Sequence, residues 1–287
     1  MSGKAPENDD TARIAELREE LNHHIYLYHE KDDPEISDEE YDGLFAELQR
    51  LEAAYPELIS GDSPTQRVGA PPSTAFAPVE HAVPMLSLAN ARTEEELVAW
   101  EKRVRNHLAR RDVDPGEITF VTEPKIDGLA ISLTYENGKL IRGATRGNGR
   151  VGEDVTANIK AIETIPKKVE DAPPLIEVRG EIYLPIPDFA ELNQKRVDAG
   201  LPAFANPRNS AAGSIRQNDP KAAAERPLAV WSYGIGALDG LNLESHSEEI
   251  EWLRAHGFHV NPDIEVHSTI GEVLERCHWW LDRRDDL

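Results

Sequence analysis

The stretch Glu123-Pro124-Lys125-Ile126-Asp127-Gly128-Leu129-Ala130-Ile131-Ser132-Leu133-Thr134-Tyr135-Glu136-Asn137-Gly138-Lys139-Leu140-Ile141-Arg142-Gly143-Ala144-Thr145 decides how the rest of the chain is read. Residues 129–135 and 139–145 have the composition and spacing of strands, and Asn137-Gly138 between them supplies the positive backbone angles of a two-residue turn. An antiparallel hairpin follows. A third strand is predicted over residues 118–123, so Lys125 sits at a strand end with acids two residues to either side and Gly128 opening the next turn. If extended geometry persists, alternation turns Glu123, Lys125 and Asp127 to one face.

A lysine that acts as a nucleophile must lose its proton, so its pKa must fall from about 10.4 through desolvation or neighbouring cations. The flanking acids can orient the amine or help hold a metal. By itself a K-x-D-G tetrapeptide is a weak signal, expected by chance in roughly one chain in ten to twenty at average residue usage.

Upstream the period changes. Ile14, Leu17, Leu21, Ile25 and Tyr28 fall on one helical face over residues 11–31, and Tyr41, Leu44, Phe45, Leu48 and Leu51 on another that begins at the Ser37/Glu40 capping box. A short loop between two such helices makes a hairpin, which brings Tyr28 and His29 near Asp38, Tyr41 and Asp42. Residues 60–84, rich in Pro and Gly without periodicity, read as a linker and mark the best domain boundary. A Thr93/Glu96 capping box then opens a helix with Leu97, Trp100, Val104 and Leu108 on one face. Downstream, helices are predicted over residues 153–162, 187–197, 245–256 and 270–283, and strands over 175–184 and 228–236. The fold class is α+β: a helical hairpin domain, then antiparallel sheets flanked by helices.

A length of 287 residues allows two domains. Hydrophobic residues at 39%, charged residues at 29% and a mean hydropathy of −0.53 describe a globular chain, with no apolar run long enough to span a bilayer. Residues 1–10 are polar and acidic, unlike a signal peptide, so a cytoplasmic protein with a frayed N-terminus and no membrane partner is expected. Cys277 is the only cysteine, which excludes an intrachain disulfide or a multi-cysteine zinc site within these residues; it is expected to be a buried structural thiol. A net charge of −22 argues against tight DNA binding by this piece alone, because phosphate neutralisation dominates such affinity. The acidic, arginine-biased surface is compatible equally with a salt-adapted host and with ordinary solubility.

Two decoys need weighing. Gly147-Asn148-Gly149-Arg150-Val151-Gly152 matches G-x-G-x-x-G, yet the strand before it is the second arm of a hairpin, whereas the dinucleotide fingerprint needs the first strand of a parallel βαβ unit. The glycines are expected to make a turn beside a nucleotide. His256, His259 and His267 lack a recognisable ligand spacing and are expected to be surface histidines.

The set Tyr28-His29, Asp38 to Asp42, Ser63-Pro64-Thr65-Gln66-Arg67-Val68-Gly69, Pro84-Met85-Leu86-Ser87-Leu88, Glu123 to Gly128, Ala144-Thr145-Arg146-Gly147, Glu177-Val178-Arg179-Gly180-Glu181, and Phe204-Ala205-Asn206-Pro207-Arg208-Asn209 through Gly213-Ser214-Ile215-Arg216-Gln217 resembles the NAD-dependent DNA ligases of bacteria, in order, from about residue 17 to 238. The resemblance implies an NAD-recognition domain over residues 1–70 and an adenylation (nucleotidyltransferase) domain over 71–287. It implies that Lys125, with Asp127, forms a phosphoramidate to AMP and releases nicotinamide mononucleotide, for sealing nicks in double-stranded DNA. Tyr28, His29, Asp38, Tyr41 and Asp42 match the nicotinamide mononucleotide contacts; Ser87, Leu88, Glu123, Arg146 and Glu181 match the adenosine-binding positions; Arg208 and Arg216 match arginines near the phosphates. The family implies Mg²⁺ as well, with ligands the residues do not identify, and a monomer. Asn148 stands where relatives often have Asp.

A complete ligase of this kind continues into a D-G-x-V-x-K strand, a further lysine motif, an OB-fold, a cysteine zinc module and helix-hairpin-helix repeats. Zinc is expected only there, and residues 1–287 alone are expected to lack central strands of the nucleotide fold. Two alternative readings are an NAD-binding module without turnover and a polynucleotide ligase that uses ATP; a nicotinamide site on the hairpin speaks against the second.

Overall fold

The computed structural model describes residues 8–27, 35–61, 63–66, 76–87, 89–114 and 116–283. Two helices open the chain, α1 (Asn8–Tyr26) and α2 (Asp38–Ala54). The expected stripes meet: Ile14, Leu17, Leu21, Leu48 and Leu51 form a small core of their own, with Tyr41, Leu44 and Phe45 packed on it. The Ser37/Glu40 capping box is present in both directions and fixes the start of α2, where serine satisfies an otherwise orphaned amide. The described part of the first helix starts at Asn8, ahead of the predicted residue 11, and Tyr28, the last position of the predicted stripe, lies outside the described residues.

The predicted linker is not free chain at either end. Pro64–Gln66 forms a 3₁₀ turn locked onto α2, where buried Glu52 accepts hydrogen bonds from Arg18 Nη2 (2.6 Å), Ser63 Oγ (2.7 Å) and Thr65 Oγ1. Such a polar network has no period, so hydropathy could not reveal it. Burial pushes the Glu52 carboxyl up, but the hydrogen bonds from Thr65, Arg18 and Ser63, with the Arg18 charge, outweigh it and leave the group below the usual carboxylate range. At the other end, Phe76 packs on the second core and β1 (Pro78–Glu80) pairs with a later strand.

Next comes α3 (Glu94–Ala109), capped by Thr93; the Glu96 carboxylate reaches the Arg92 amide, so the expected box is only half made. It buries no residue fully, and Trp100 is 39% exposed, with its ring 6.1 Å from that of Phe120.

Then β2 (Phe120–Thr122) leads to the hairpin of β3 (Leu129–Glu136) and β4 (Lys139–Thr145), with Asn137 (φ 46°) and Gly138 (φ 75°) in the left-handed region the turn demands. After β5 (Val151–Glu153) and α4 (Thr156–Ala161), β6 (Leu175–Tyr183) pairs antiparallel with β3. Glu153, predicted as the first helical residue, is the last residue of β5 instead. Helices α5 (Ile186–Asp198), α6 (Pro207–Ile215) and α7 (Pro220–Ala224) precede β7 (Ala229–Asp239), followed by α8 (His246–Ala255), β8 (Glu265–His267) and α9 (Ile270–Leu281).

The main sheet has the order β4-β3-β6-β7, all antiparallel, and two small pairs, β1-β5 and β2-β8, flank it. One face of the sheet carries Ile131, Leu133, Tyr135, Ile176, Val178 and Ile182, each at most 1% exposed, against Ile159, Ile215 and Leu253 from helices. The Tyr135 hydroxyl donates to the Pro166 carbonyl at 2.8 Å, which removes the cost of burying it. The fold class is therefore α+β with two cores. Among the described residues no helix is long and apolar enough to cross a membrane.

Two expectations fail on α9 and β8. Cys277 is exposed, because α9 packs only along the narrow stripe that carries Val273 and Arg276. His267 is buried: it faces Thr122 across the β2-β8 pair, with Nε2 2.8 Å from Thr122 Oγ1.

Candidate active site

The strand β2 stops at Thr122, so Glu123 to Asp127 form a loop and not a strand continuation. Alternation of exposure survives nonetheless: Glu123, Lys125 and Asp127 are exposed, while Pro124 and Ile126 are half-buried. The turn back into β3 requires Gly128. A Cβ there would lie 2.1 Å from the Ile182 carbonyl oxygen, closer than any side chain can approach. The Gly128 amide in turn donates to the Glu181 carboxylate, which ties the lysine loop to β6.

This loop forms one wall of a cavity of about 920 Å³. The sheet face opposite the core makes its floor, since the strand register places Glu181 between Ala130 and Trp231. Arg146 follows β4, with its amide held by the Ala130 carbonyl at 3.0 Å, and Gly147 (φ 56°) and Gly149 (φ 84°) make the turn into β5. The G-x-G-x-x-G run is thus a hairpin-side turn at the cavity edge, as its antiparallel setting predicts.

On the other side, α6 begins at Asn206, whose side chain caps the Asn209 amide at 2.7 Å, with Pro207 at the first helical position. The helix presents Arg208 and, at its C-cap, Arg216 to the cavity. Arg208 Nη1 donates to Asp127 Oδ1 at 2.5 Å, and Arg216 Nε donates to buried Glu153 Oε2 at 2.9 Å.

Opposing charges in a partly desolvated space displace several titrations. Burial pushes the Glu181 carboxyl up to about 7, against the pull of Lys125, Arg208 and Arg146. Burial likewise lowers the Arg146 guanidinium and raises the Tyr233 phenol. Glu123, open to the cavity but surrounded by protein, is raised by desolvation and lowered by His246. His246 is raised, first by its contact with Glu249, whose Oε2 is 3.2 Å from Nδ1. Perturbed groups concentrated in one cleft are the signature of a chemical site.

Of the residues singled out in the sequence, Ser87, Glu123, Lys125, Arg146, Glu181, Arg208 and Arg216 line this one cavity, and Asp127 joins it through Arg208. Leu88, Tyr28 and His29 lie outside the described residues, as does the Asp38 side chain. Tyr41 is half-buried with its ring stacked 6.2 Å from that of Phe45, so it serves the hairpin core. Asp42 accepts from Arg92 Nη2 at 2.5 Å, and Arg92 itself lines the cavity.

Sequence reasoning missed Arg179, Trp231, Tyr233, His246 and Glu249, all in the cavity wall. Pairing of β7 with β6, remote in sequence, puts the aromatic pair there, and no local pattern announces it. Among the described residues no group of three or more His, Cys, Asp or Glu is arranged to hold a metal.

Comparison with known proteins agrees with the geometry. Residues 73–287 match the model of the NAD-dependent DNA ligase adenylation domain, and residues 7–69 that of the DNA ligase-like, N-terminal NAD⁺-binding domain. The chain is 52% identical over 278 residues to a DNA ligase of Desulforudis audaxviator, covering 96% of this chain and 41% of that protein. It is also 52% identical to one of Rubrobacter xylanophilus (96% and 40%) and 49% identical to one of Roseiflexus castenholzii (98% and 40%). The chain spans about two fifths of the length of these relatives.

Proposed function

Since the chain belongs to the NAD-dependent DNA ligase family, we propose that its cavity is where Lys125 takes AMP from NAD, as the first step in joining nicked double-stranded DNA. One observation carries the reading. Lys125 stands on a fixed loop in the wall of a cavity whose other walls bring Arg146, Arg208, Arg216 and the acid Glu181 to it.

In the reaction Lys125 Nζ attacks the α-phosphorus of NAD. A P–N bond forms, the P–O bond to nicotinamide mononucleotide breaks with its electron pair leaving on that oxygen, and the amine gives up a proton to water. Guanidinium forks suit phosphate oxygens and oppose the charge that develops during transfer. Arg208 exchanges its Asp127 partner for phosphate, and Arg216, braced by Glu153, adds its positive charge to the same cavity.

The adenosine half is received by Ser87, Leu88, Glu123, Arg146 and Glu181. The nicotinamide mononucleotide half is received by Tyr28, His29, Asp38, Tyr41 and Asp42: rings stack on the pyridinium, and carboxylates suit its charge and the ribose hydroxyls. Where Mg²⁺ is used, Asp127 on the Lys125 loop is the carboxylate that would help hold it, in keeping with a hard cation that takes few protein ligands. The ion would supply positive charge against the phosphates. A monomer in the cytoplasm completes the reading. With a net charge of −22, DNA is gripped through local arginines or through parts of the longer ligase.

The test is incubation with NAD labelled in its adenylate and, separately, with labelled ATP. Label from NAD that is lost in Lys125→Ala is expected; label retained by that variant, or taken only from ATP, overturns the proposal.

A further inference from the structure

Strand β6 reads Glu177-Val178-Arg179-Gly180-Glu181, and its two faces differ. Ile176, Val178 and Ile182 point into the core, whereas Arg179 and Glu181 both line the cavity. The resemblance gave Arg179 no role.

Three of the five N–H donors of its guanidinium, at least one on each nitrogen, go to protein acceptors. Nη2 donates to the Val83 carbonyl at 2.5 Å, Nη1 donates to the Pro84 carbonyl at 3.2 Å, and Nε donates to Glu177 Oε1 at 2.9 Å. Glu177, 4% exposed, is steadied from behind by the Ala237 amide on β7. The segment so held lies about 95 residues upstream and belongs to no strand. On either side of it the chain is tied by the His81 amide to the Arg150 carbonyl (2.9 Å), by His81 Nε2 to the Arg146 carbonyl (3.1 Å) and by the Met85 amide to the Gly149 carbonyl (2.8 Å). Directly after it, Met85, Leu86 and Ser87 form part of the cavity wall.

We propose that Arg179 is a positioning residue: its fork clamps the Val83 and Pro84 carbonyls to the sheet and so fixes the Met85–Ser87 rim that receives the nucleotide. The assignment rests on the reading of the cavity given above. With Nε and one N–H of each terminal nitrogen committed to the protein, Arg179 acts on the binding site through the rim it holds. A lysine offers one compact charge and cannot span two carbonyls as a planar fork does. The opposite side of the clamp is equally tight: a Cβ at Gly236 would lie 2.6 Å from Glu177 Oε1 and 2.7 Å from Arg179 Nε.

Two measurements test this. In single-turnover self-adenylation, Arg179→Met should raise the NAD concentration for half-maximal rate roughly tenfold and leave the saturating rate within about twofold, the pattern of lost binding that is equal in ground and transition states. Arg179→Lys should fall between, and Gly236→Ala should reproduce the defect from the other side. Independently of NAD chemistry, hydrogen exchange of the unliganded protein should show the Met85 amide exchanging roughly tenfold faster in Arg179→Met, with the Val178 and Ile182 amides of β6 unchanged. Wild-type protein that takes no label refutes the reading of the cavity, while the exchange result still decides the clamp. Unchanged Met85 exchange in the folded variants, or a saturating rate that falls while the NAD dependence stays put, overturns the clamp. Should Arg179→Met fail to fold, the same two readings apply to Arg179→Lys and Gly236→Ala.

Discussion

Replacing Glu181 by Gln should make the unliganded protein more stable in alkaline solution. The carboxyl is 9% exposed, and burial lifts it from an ordinary 4.5 to about 7, more strongly than Lys125, Arg208 and Arg146 pull it down. For an acid whose folded pKa is raised, the unfolded chain ionises first, so stability falls as pH rises from about 4.5 and levels off above about 7. At about 1.36 kcal/mol per pH unit, the rise from 4.5 to about 7 comes to about 3 kcal/mol, the cost of holding Glu181 ionised in the cavity wall. Glutamine is nearly isosteric and keeps an oxygen for the Gly128 amide, so Glu181→Gln should match wild type near pH 4.5 and exceed it by up to about 3 kcal/mol at pH 9. Urea unfolding at the two pH values measures the difference. Exposed Glu251→Gln serves as the control for relief of the general negative charge. An equal wild-type–variant gap at both pH values, or a variant less stable at pH 9, would refute the assignment of the strain to this carboxylate.

Gly128→Ala should abolish adenylation and destabilise the fold by roughly 3 kcal/mol or more, seen by denaturant midpoint, since its Cβ has no room beside the Ile182 carbonyl. Glu52→Gln should cost roughly 3 kcal/mol at neutral pH by leaving Arg18 without its buried negative charge. Because the Glu52 carboxyl is depressed, that stability is present above about 4.5 and is lost as pH falls further, so the gap between variant and wild type should close in acid. Arg208→Ala should slow single-turnover adenylation by roughly two to three orders of magnitude, the range for losing one aimed donor to developing charge; a rate within twofold of wild type would place Arg208 with Asp127 in a structural pair only.

Much of the fold was legible because its signals are local. The Ser37 box, the Leu17/Leu21 and Leu48/Leu51 stripes and the Asn137-Gly138 turn each stand within a few residues of the structure they dictate. Three-residue strands such as β1, β5 and β8 carry too few positions to show a period, and they exist because a distant partner supplies the hydrogen bonds. Helix α6 was hidden for another reason: its small residues pack against the sheet and show little amphipathic contrast. The site was half legible. Lys125, Glu181 and Arg208 were found through motifs, and the loop before β3, strand β6 and helix α6 bring them to one cavity. Tyr233 and His246 enter the same wall through that pairing and the placement of α8, which sequence spacing cannot express. Cys277 and His267 were misplaced because exposure on α9 and burial under β2 are set by neighbours far along the chain.

The most direct test of the central claim is the intact mass and peptide map of the protein after incubation with NAD and Mg²⁺. One adenylyl group per chain, located on the peptide that carries Lys125 and matched by one nicotinamide mononucleotide released, is the predicted result. Adenylate on any other residue, or NAD bound without a covalent product under conditions where the fold is intact, would contradict it.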